Sequence, residues 1–373
     1  MVGASRARTT SHTTPCLDQA RFSVSTPDVN GPRRPGAKYD GPLPFVHIVI
    51  VTYQGAPWIL RCVRSIARHT TYKPFDVLVV DNGSTDGTPA LLASEFPAID
   101  VVPLKRNVGF GRGNNLGIQT RLREQAGYVV LLNQDTVVEG KWLSELMRTA
   151  IACPDAGAIM PVILSYSGQE LDANFGRLLG SCRAFIRDAV LGRVGDSYVV
   201  DKGVGAAVLL TPKMLDSVGL FDPIFFLYGE DTDLFRRMRH HGFGIVVSTR
   251  ARVRHGHTEV QEGRGGRKST WRAHAVIVSE LKNPLSPVHR SVYRAIRWVA
   301  GEAGSCVVHG FLGSAVGYAI ALIWGLMMLP RILVHRRRCM ESSGTVFSSW
   351  WVSGVSGRHG WVGCGDEHVA AQA

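Results

Sequence analysis

The chain has 373 residues, 45% of them hydrophobic and 19% charged, enough to bury a sizeable core in one large domain with appendages or in two domains. Lys and Arg outnumber Asp and Glu by 42 − 30 = +12, which suits an anionic partner: a phosphate-bearing substrate, an anionic membrane surface or nucleic acid. The seven cysteines are scattered and odd in number, without Cys-x-x-Cys or Cys/His zinc spacing, which speaks against a zinc module and for reduced thiols.

Residues 1–43 are rich in Ser, Thr, Pro, Arg and Gly and lack an apolar run, so they read as a disordered tail and not as a signal peptide. An α/β domain is expected over 44–270. Val46 to Val51 is a β-branched run of the kind that forms a buried parallel strand. A helical pattern follows from Trp58 to Arg68, and further strands are expected at Phe75–Val80, Val101–Leu104 and Tyr128–Leu132. Strands alternating with helices predict a mostly parallel central sheet flanked by helices, whose ligands sit at the carboxyl ends of the strands. Polar clusters stand at those ends: Thr52-Tyr53, Asp81-Asn82, Asn107 and Asn133-Gln134-Asp135. Residues 150–260 are less regular.

Beyond a basic loop at 261–268, a helical extension is expected over 271–302, with Arg290, Arg294 and Arg297. Segment 303–334 opens with a run from Ala303 to Pro330 that carries no formal charge, longer than the ~20 residues that span a bilayer. Arginines on both sides give no orientation, so an in-plane or re-entrant membrane segment fits, as does a buried helix docked on the domain. Residues 335–373 are expected to be a poorly ordered tail. The basic residues gather near this segment and the termini without aromatic interleaving, which sets nucleic acid aside as a partner.

Several polar segments can carry chemistry. Asp81-Asn82-Gly83-Ser84 follows a strand directly, placing a carboxylate at the sheet edge; a capped βα turn without ligand accounts for it equally well. Asn107-Val108-Gly109-Phe110-Gly111-Arg112-Gly113-Asn114-Asn115 has the wrong glycine spacing for a dinucleotide fingerprint and reads as a Gly-rich turn opening a helix. Asp135 follows an apolar strand and can hold a hard divalent ion, or cap a turn. In Glu230-Asp231-Thr232-Asp233, a helix starting near Glu230 puts Asp231 on the face of Leu234, Phe235 and Met238. Complementing the helix dipole explains Glu230 and Asp233 well and Asp231 poorly. His255-Gly256-His257 could complete a metal site or be a loop pair.

In order, these segments together with Gly205-Ala206-Ala207 and Phe221-Asp222-Pro223 running into Phe226-Leu227-Tyr228-Gly229-Glu230-Asp231 resemble glycosyltransferase family 2, in its rhamnosyltransferase-like branch. The resemblance implies a nucleotide-diphospho-sugar transferase fold of the GT-A type with a C-terminal membrane-associated extension, and inversion at the anomeric carbon. It implies that Asp231 is the catalytic base. Thr52, Tyr53, Asp81, Asn82, Asn107, Gly109, Asn114 and Asn133 would bind the donor, a nucleotide-diphosphate sugar such as a rhamnosyl, galactofuranosyl or mannosyl nucleotide. Gly205, Asp222, Tyr228 and Glu230 would face a glycan or lipid-linked acceptor. Asp135 and His255, the latter a better match than His257, would hold Mg²⁺ or Mn²⁺. Asn133 stands where the family's Asp-x-Asp motif has its first acid. The implied setting is cell-envelope polysaccharide synthesis at the cytoplasmic face of a membrane; the other reading is an inactive nucleotide-sugar-binding scaffold.

Overall fold

The computed structural model describes residues 42–256, 267–341, 346 and 348–352. The expected tail over 1–43, the 261–268 loop, His257 and the chain after 352 lie outside the described residues, or nearly so. The strands β1 (Val46–Thr52), β2 (Phe75–Asp81), β3 (Asp100–Pro103) and β4 (Tyr128–Asn133) are joined by helices α1 (Ile59–His69), α2 (Thr88–Glu95) and α3 (Phe110–Glu124). They pair in parallel in the order β3-β2-β1-β4. The chain continues through β5 (Thr136–Val138), α4 (Trp142–Ala152), β6 (Ala156–Ser165), α5 (Ala173–Gly180), α6 (Arg183–Val190), β7 (Ser197–Val200) and β8 (Ala207–Leu210). Then come α7 (Pro212–Val218), α8 (Glu230–His240) and β9 (Gly244–His255).

Among the described residues these strands form one sheet, ordered β3-β2-β1-β4-β8-β6-β9-β5, with β7 paired to β9. The antiparallel pairings fall at β4·β8, β6·β8, β5·β9 and β7·β9, so β1, β2, β3, β4, β6 and β9 all run one way and end at one edge. The pleat divides each central strand between two cores. Ile48, Ile50, Val130 and Leu132 pack with Ile59, Val63, Trp142 and Leu146 of α1 and α4. Val49, Val129 and Leu131 pack on the other face with Ile118, Phe175, Met214 and Leu234 of α3, α5, α7 and α8. The α/β architecture and the first four strands match the sequence expectation.

The stretch expected to be less regular holds β6, β7 and β8. Pro161 inside β6 and a register shift at Pro161/Val162, where the pairing to β9 slips, disguise the strand in the sequence. The same stretch ends in one long strand, β9, whose pairing to β6 shifts register between Ser248 and Arg252.

The C-terminal part also departs from expectation. The charge-free run is not one helix: α10 (Val288–Val308) ends in it, and α11 (Leu312–Met327) is bent by 66° from α12 (Leu329–Glu341). Together with α9 (Arg267–Lys282) these helices enclose a third core around Ile224, Phe225, Ile277, Leu281 and Ile332. No single described helix is long and apolar enough to cross a membrane. The boundary drawn at 335 falls inside α12, and part of the supposed tail is core: Trp351 is 2% exposed, in the cluster that holds Val49 and Leu234. Asn115 Nδ2 donates to its carbonyl at 2.6 Å, and its indole lies so close to Gly219 that a Cβ there would meet it at 2.1 Å. Aromatic bulk without alternation gave no periodic signal to read. Trp351→Ala is expected to cost about 3–5 kcal/mol, read as a lower urea midpoint; an unchanged midpoint would show that this segment is not part of the core.

Candidate active site

A strand buried on both faces must turn where it leaves the core, and its last residues are the first that can be polar. At the common edge lie Thr52, Asp81, Asn133 and His255, while β8 enters from the same edge behind Gly205 and Ala206.

The turns at this edge are held by side chains acting on backbone. Gln134 Oε1 accepts from Thr52 Oγ1 at 2.6 Å and from Tyr53 N at 2.9 Å, and its Nε2 donates to Tyr53 O at 3.2 Å. Asn82 is buried; its Nδ2 donates to Asn107 Oδ1 at 2.9 Å and its Oδ1 accepts from Val108 N at 2.8 Å. Gly109 N also donates to Asn107 Oδ1, at 2.9 Å. Asn82 and Asn107 therefore shape the Gly-rich turn. Gly109 has φ 92 and sits where a Cβ would come within 2.4 Å of Phe226 O, so no other residue fits there. Asp81 Oδ2 accepts from Ser84 N at 3.2 Å, while its buried Oδ1 has no partner, leaving an acceptor toward the space between these turns. Asn114, expected to bind the donor, is corrected: it is 1% exposed and its Nδ2 donates back to Phe110 O at 3.0 Å, within its own helix.

Across β4, Asp135 and His255 come together. His255 Nε2 lies 3.4 Å from Asp135 Oδ1 and 3.3 Å from Asn133 Nδ2, and Nδ1 lies 3.3 Å from Asp172 Oδ2. Burial opposes the charged imidazole, but the two carboxylates outweigh it and hold the pKa up at about 9. Asp172 is itself fixed as the N-cap of α5, with Oδ1 accepting from Asn174 N and Phe175 N. Once a cation displaces the His255 Nε2 proton, one carboxylate, that imidazole nitrogen and the orphaned buried Oδ1 of Asn133 form a donor set that fits a hard divalent ion.

The acidic segment opens α8. Tyr228 (φ 68) and Gly229 (φ 84) are both left-handed, and the strained non-glycine position marks a turn held by its surroundings. A Cβ on Gly229 would meet Ser279 Oγ at 2.8 Å, and Phe110 N donates to Phe226 O at 3.2 Å, so this loop is wedged between α9 and the Gly-rich turn. Leu234, Phe235 and Met238 are buried as expected, and Asp231 stands half-exposed at the start of their face. Gly205 backs onto it: a Cβ there would lie 3.2 Å from Asp231 Cβ. Ala206 O in turn accepts from Asn133 N at 2.9 Å, which ties the Asp231 side to the Asp135 side. Burial raises the Asp231 pKa, opposed by hydrogen bonds from Thr232, whose N donates at 2.6 Å, and from the Gly205 backbone.

The neighbouring acids differ from expectation. Glu230 and Asp233 stand in the first turn of α8, where the helix dipole favours acids, but both are buried, so their surroundings matter as well. Asp233 pairs with Arg237 at 2.9 Å and with Lys282 at 2.8 Å. Glu230 Oε2 is buried without a partner, and burial, with the nearby Asp231 charge, pushes its pKa up to about 8. Asp222 is corrected as an acceptor residue: it is fully buried, His335 Nδ1 and Ile224 N contact Oδ1 at 2.8 and 2.9 Å, and Lys282 takes Oδ2. Both oxygens are committed to the C-terminal helices. Lys282 also fills the cluster of Asp222, Asp233 and Cys339, which leaves no room there for a metal ion.

Sequence reading passed over Gln134, Asp172 and Lys282. Gln134 stood inside a quoted motif and could have been found as an amide between two strand ends; nothing local marks Asp172 or Lys282. Glu230 has an unfolded pKa near 4.5 and a folded one near 8, so the folded state binds the extra proton between them and stability falls as pH rises through that window. Glu230→Gln is therefore expected to be more stable relative to wild type at pH 8 than at pH 5 in parallel urea titrations. An equal difference at both pH values would contradict this burial.

The profile of glycosyl transferase family 2 matches residues 47–189, and that of glycosyl transferase family group 2 matches residues 128–356. An N-acetylglucosaminyl-diphospho-decaprenol L-rhamnosyltransferase of Mycobacterium tuberculosis is 30% identical over 233 residues, covering 56% of this chain and 75% of that protein. The succinoglycan biosynthesis protein ExoO of Rhizobium meliloti is 31% identical over 161 residues, 40% of this chain and 44% of that protein. Among solved structures, the mannosyltransferase PcManGT from Pyrobaculum calidifontis, in complex with GDP-Man and Mn²⁺, is similar at a TM-score of 0.48 and 18% identity, over 80% of this chain and 87% of that one.

Proposed function

This chain belongs to glycosyltransferase family 2, and from that membership we propose that it is an inverting enzyme of cell-envelope polysaccharide synthesis. It moves a sugar, rhamnose by likeness to the mycobacterial relative, from a nucleotide diphosphate to a hydroxyl of a lipid-linked or glycan acceptor at the cytoplasmic face of a membrane. The observation that carries the reading is the pairing of Asp231, backed by Gly205, with Asp135 and His255 through the short Ala206–Asn133 link.

On this reading Asp81 and the Asn82–Asn107 turn receive the nucleoside, Asp81 through its unpartnered oxygen. Tyr228 and the backbone of Gly205 border the acceptor, whose hydroxyl gives its proton to Asp231 as its oxygen attacks the anomeric carbon from the face opposite the leaving diphosphate. The raised pKa of Asp231 increases its proton affinity, while the Thr232 and Gly205 hydrogen bonds preserve an ionised population. A divalent cation, Mg²⁺ or Mn²⁺, held by Asp135, His255 and Asn133 Oδ1 would offset charge building on the leaving diphosphate. Asp172 orients the His255 ring from behind.

Asp231→Asn is expected to lower transfer by about 10³-fold while donor affinity stays within about twofold, as for loss of a general base. Wild-type turnover by that variant would remove Asp231 from the mechanism. Asp135→Ala is expected to weaken donor binding on the order of tenfold or more and to abolish its response to Mn²⁺, measured by calorimetry with and without the ion; an unaltered response would place the cation elsewhere.

A further inference from the structure

We propose that the outer face of α10 and α11 is a lipid-docking plane, which sinks into the interface of an anionic bilayer with α11 lying along the surface and not across it. The inference deepens the functional reading above, on which its relevance to a lipid-linked acceptor rests.

The first observation is that α11 is inside out. It buries Ser314, Gly317, Ala321 and Gly325, and it exposes Leu312 (64%), Val316, Ile320 (56%), Ile323 and Met327 (74%). The buried glycines permit a close approach to α9: a Cβ at Gly317 would meet Thr270 Oγ1 at 2.7 Å, and one at Gly325 would meet Ile277 Cγ2 at 2.5 Å. A helix on a water-facing surface turns its large apolar residues inward. Small residues at the helix–helix contact and large apolar ones outside are the arrangement of a helix whose outer solvent is lipid. The exposed residues recur at helical spacing, so they form one stripe, continued by Phe311, Val307 and Val308 at the α10 end. A run of large apolar side chains exposed on one face marks an interaction surface, unlike apolar residues scattered singly.

The second observation is the flanking charge. From Ala303 to Pro330 there is no formal charge, while exposed arginines flank that run along the chain: Arg290 and Arg297 on α10, and Arg331 and Arg338 on α12, where Arg337 is paired with Glu341. An apolar strip flanked by arginines matches acyl chains below anionic headgroups.

The third is geometric. At 16 residues α11 is about 24 Å long, short of the ~30 Å hydrocarbon core. Its inner face is occupied by α9, whose residues also contact the Gly229 turn, so lipid can reach one side only. The same α9 carries Arg272, exposed, with its guanidinium 5.6 Å from the Tyr228 ring centroid. The helix that backs the docking face thus also borders the loop leading to Asp231, and seating α11 on the bilayer sets that loop near the headgroups.

The test is flotation of the full chain with vesicles of phosphatidylcholine alone or mixed with phosphatidylglycerol, at low and high salt, combined with transfer assays on a short water-soluble and a lipid-linked acceptor. The chain is expected to float with the anionic vesicles and to be released by salt. Ile320→Glu with Ile323→Glu should lower partitioning by about tenfold or more, and Arg297→Ser with Arg331→Ser should remove the preference for anionic lipid. The glutamate variant, at surface positions and with an unchanged circular dichroism spectrum, should keep transfer to the soluble acceptor and lose it on the lipid-linked one. Equal partitioning by the glutamate variant overturns the proposal. So does a wild-type chain that ignores vesicles but is a dimer by light scattering and becomes monomeric in that variant, since the stripe would then be a subunit interface. If flotation behaves as expected while no sugar is transferred to any acceptor, docking stands and the transferase reading fails.

Discussion

Lys282 is the residue on which the placement of the acidic segment depends. Its ammonium is buried between Asp222 and Asp233. A lone charge in that position would cost several kcal/mol, and burial does oppose it, but two carboxylates outweigh the penalty and hold its pKa above the ordinary lysine range. The same attraction, joined by His335, holds Asp222 well below the usual carboxylate range. Asp222 begins the loop that leads to α8 and Asp233 lies in its first turn, so a lysine on α9 pins the chain on both sides of Asp231. Arg237 extends the lock, bonding Asp233 and the carbonyls of Val218 and Leu220. The C-terminal helices are thereby part of what positions the site.

The rest of the site is an assembly of turns held from outside themselves. Gln134 joins the ends of β1 and β4, Asn82 holds the Gly109 turn, and Gly109 fits against Phe226 with no room for a side chain. The left-handed Tyr228 persists because α9 and the Gly-rich turn confine its loop. Such pre-set backbone lets polar groups face a ligand without being reorganised when it arrives. Glu230 and Asp231 add an electrostatic consequence: a buried acid and its half-exposed neighbour resist sharing negative charge, and both are shifted upward.

Much of the fold was legible because it rests on local pattern. Short β-branched runs alternating with amphipathic helices specify parallel strands, and their polar last residues mark the sheet edge where Thr52, Asp81 and Asn133 stand. β6 was not legible, since Pro161 and a shifted register hide its alternation. Trp351 was not, because nothing in a Gly- and Ser-rich segment announces that its indole fills space beside Gly219. Asn114 was misread because an amide that can meet a ligand can equally return to its own helix, and spacing does not say which.

The sequence by itself determined the order of elements, the carboxylates and imidazole available at the strand ends, and the family they belong to. It did not decide which acids work as acids. Asp222, Glu230, Asp231 and Asp233 have the same chemistry locally. Only the tertiary structure assigns two of them to a lysine at least 49 residues further along, leaves a third buried without a partner, and turns Asp231 alone to the edge of the cleft. The reason is physical: the charge state of a buried carboxylate depends on how near its partners lie in space, and that distance is a property of the packed fold.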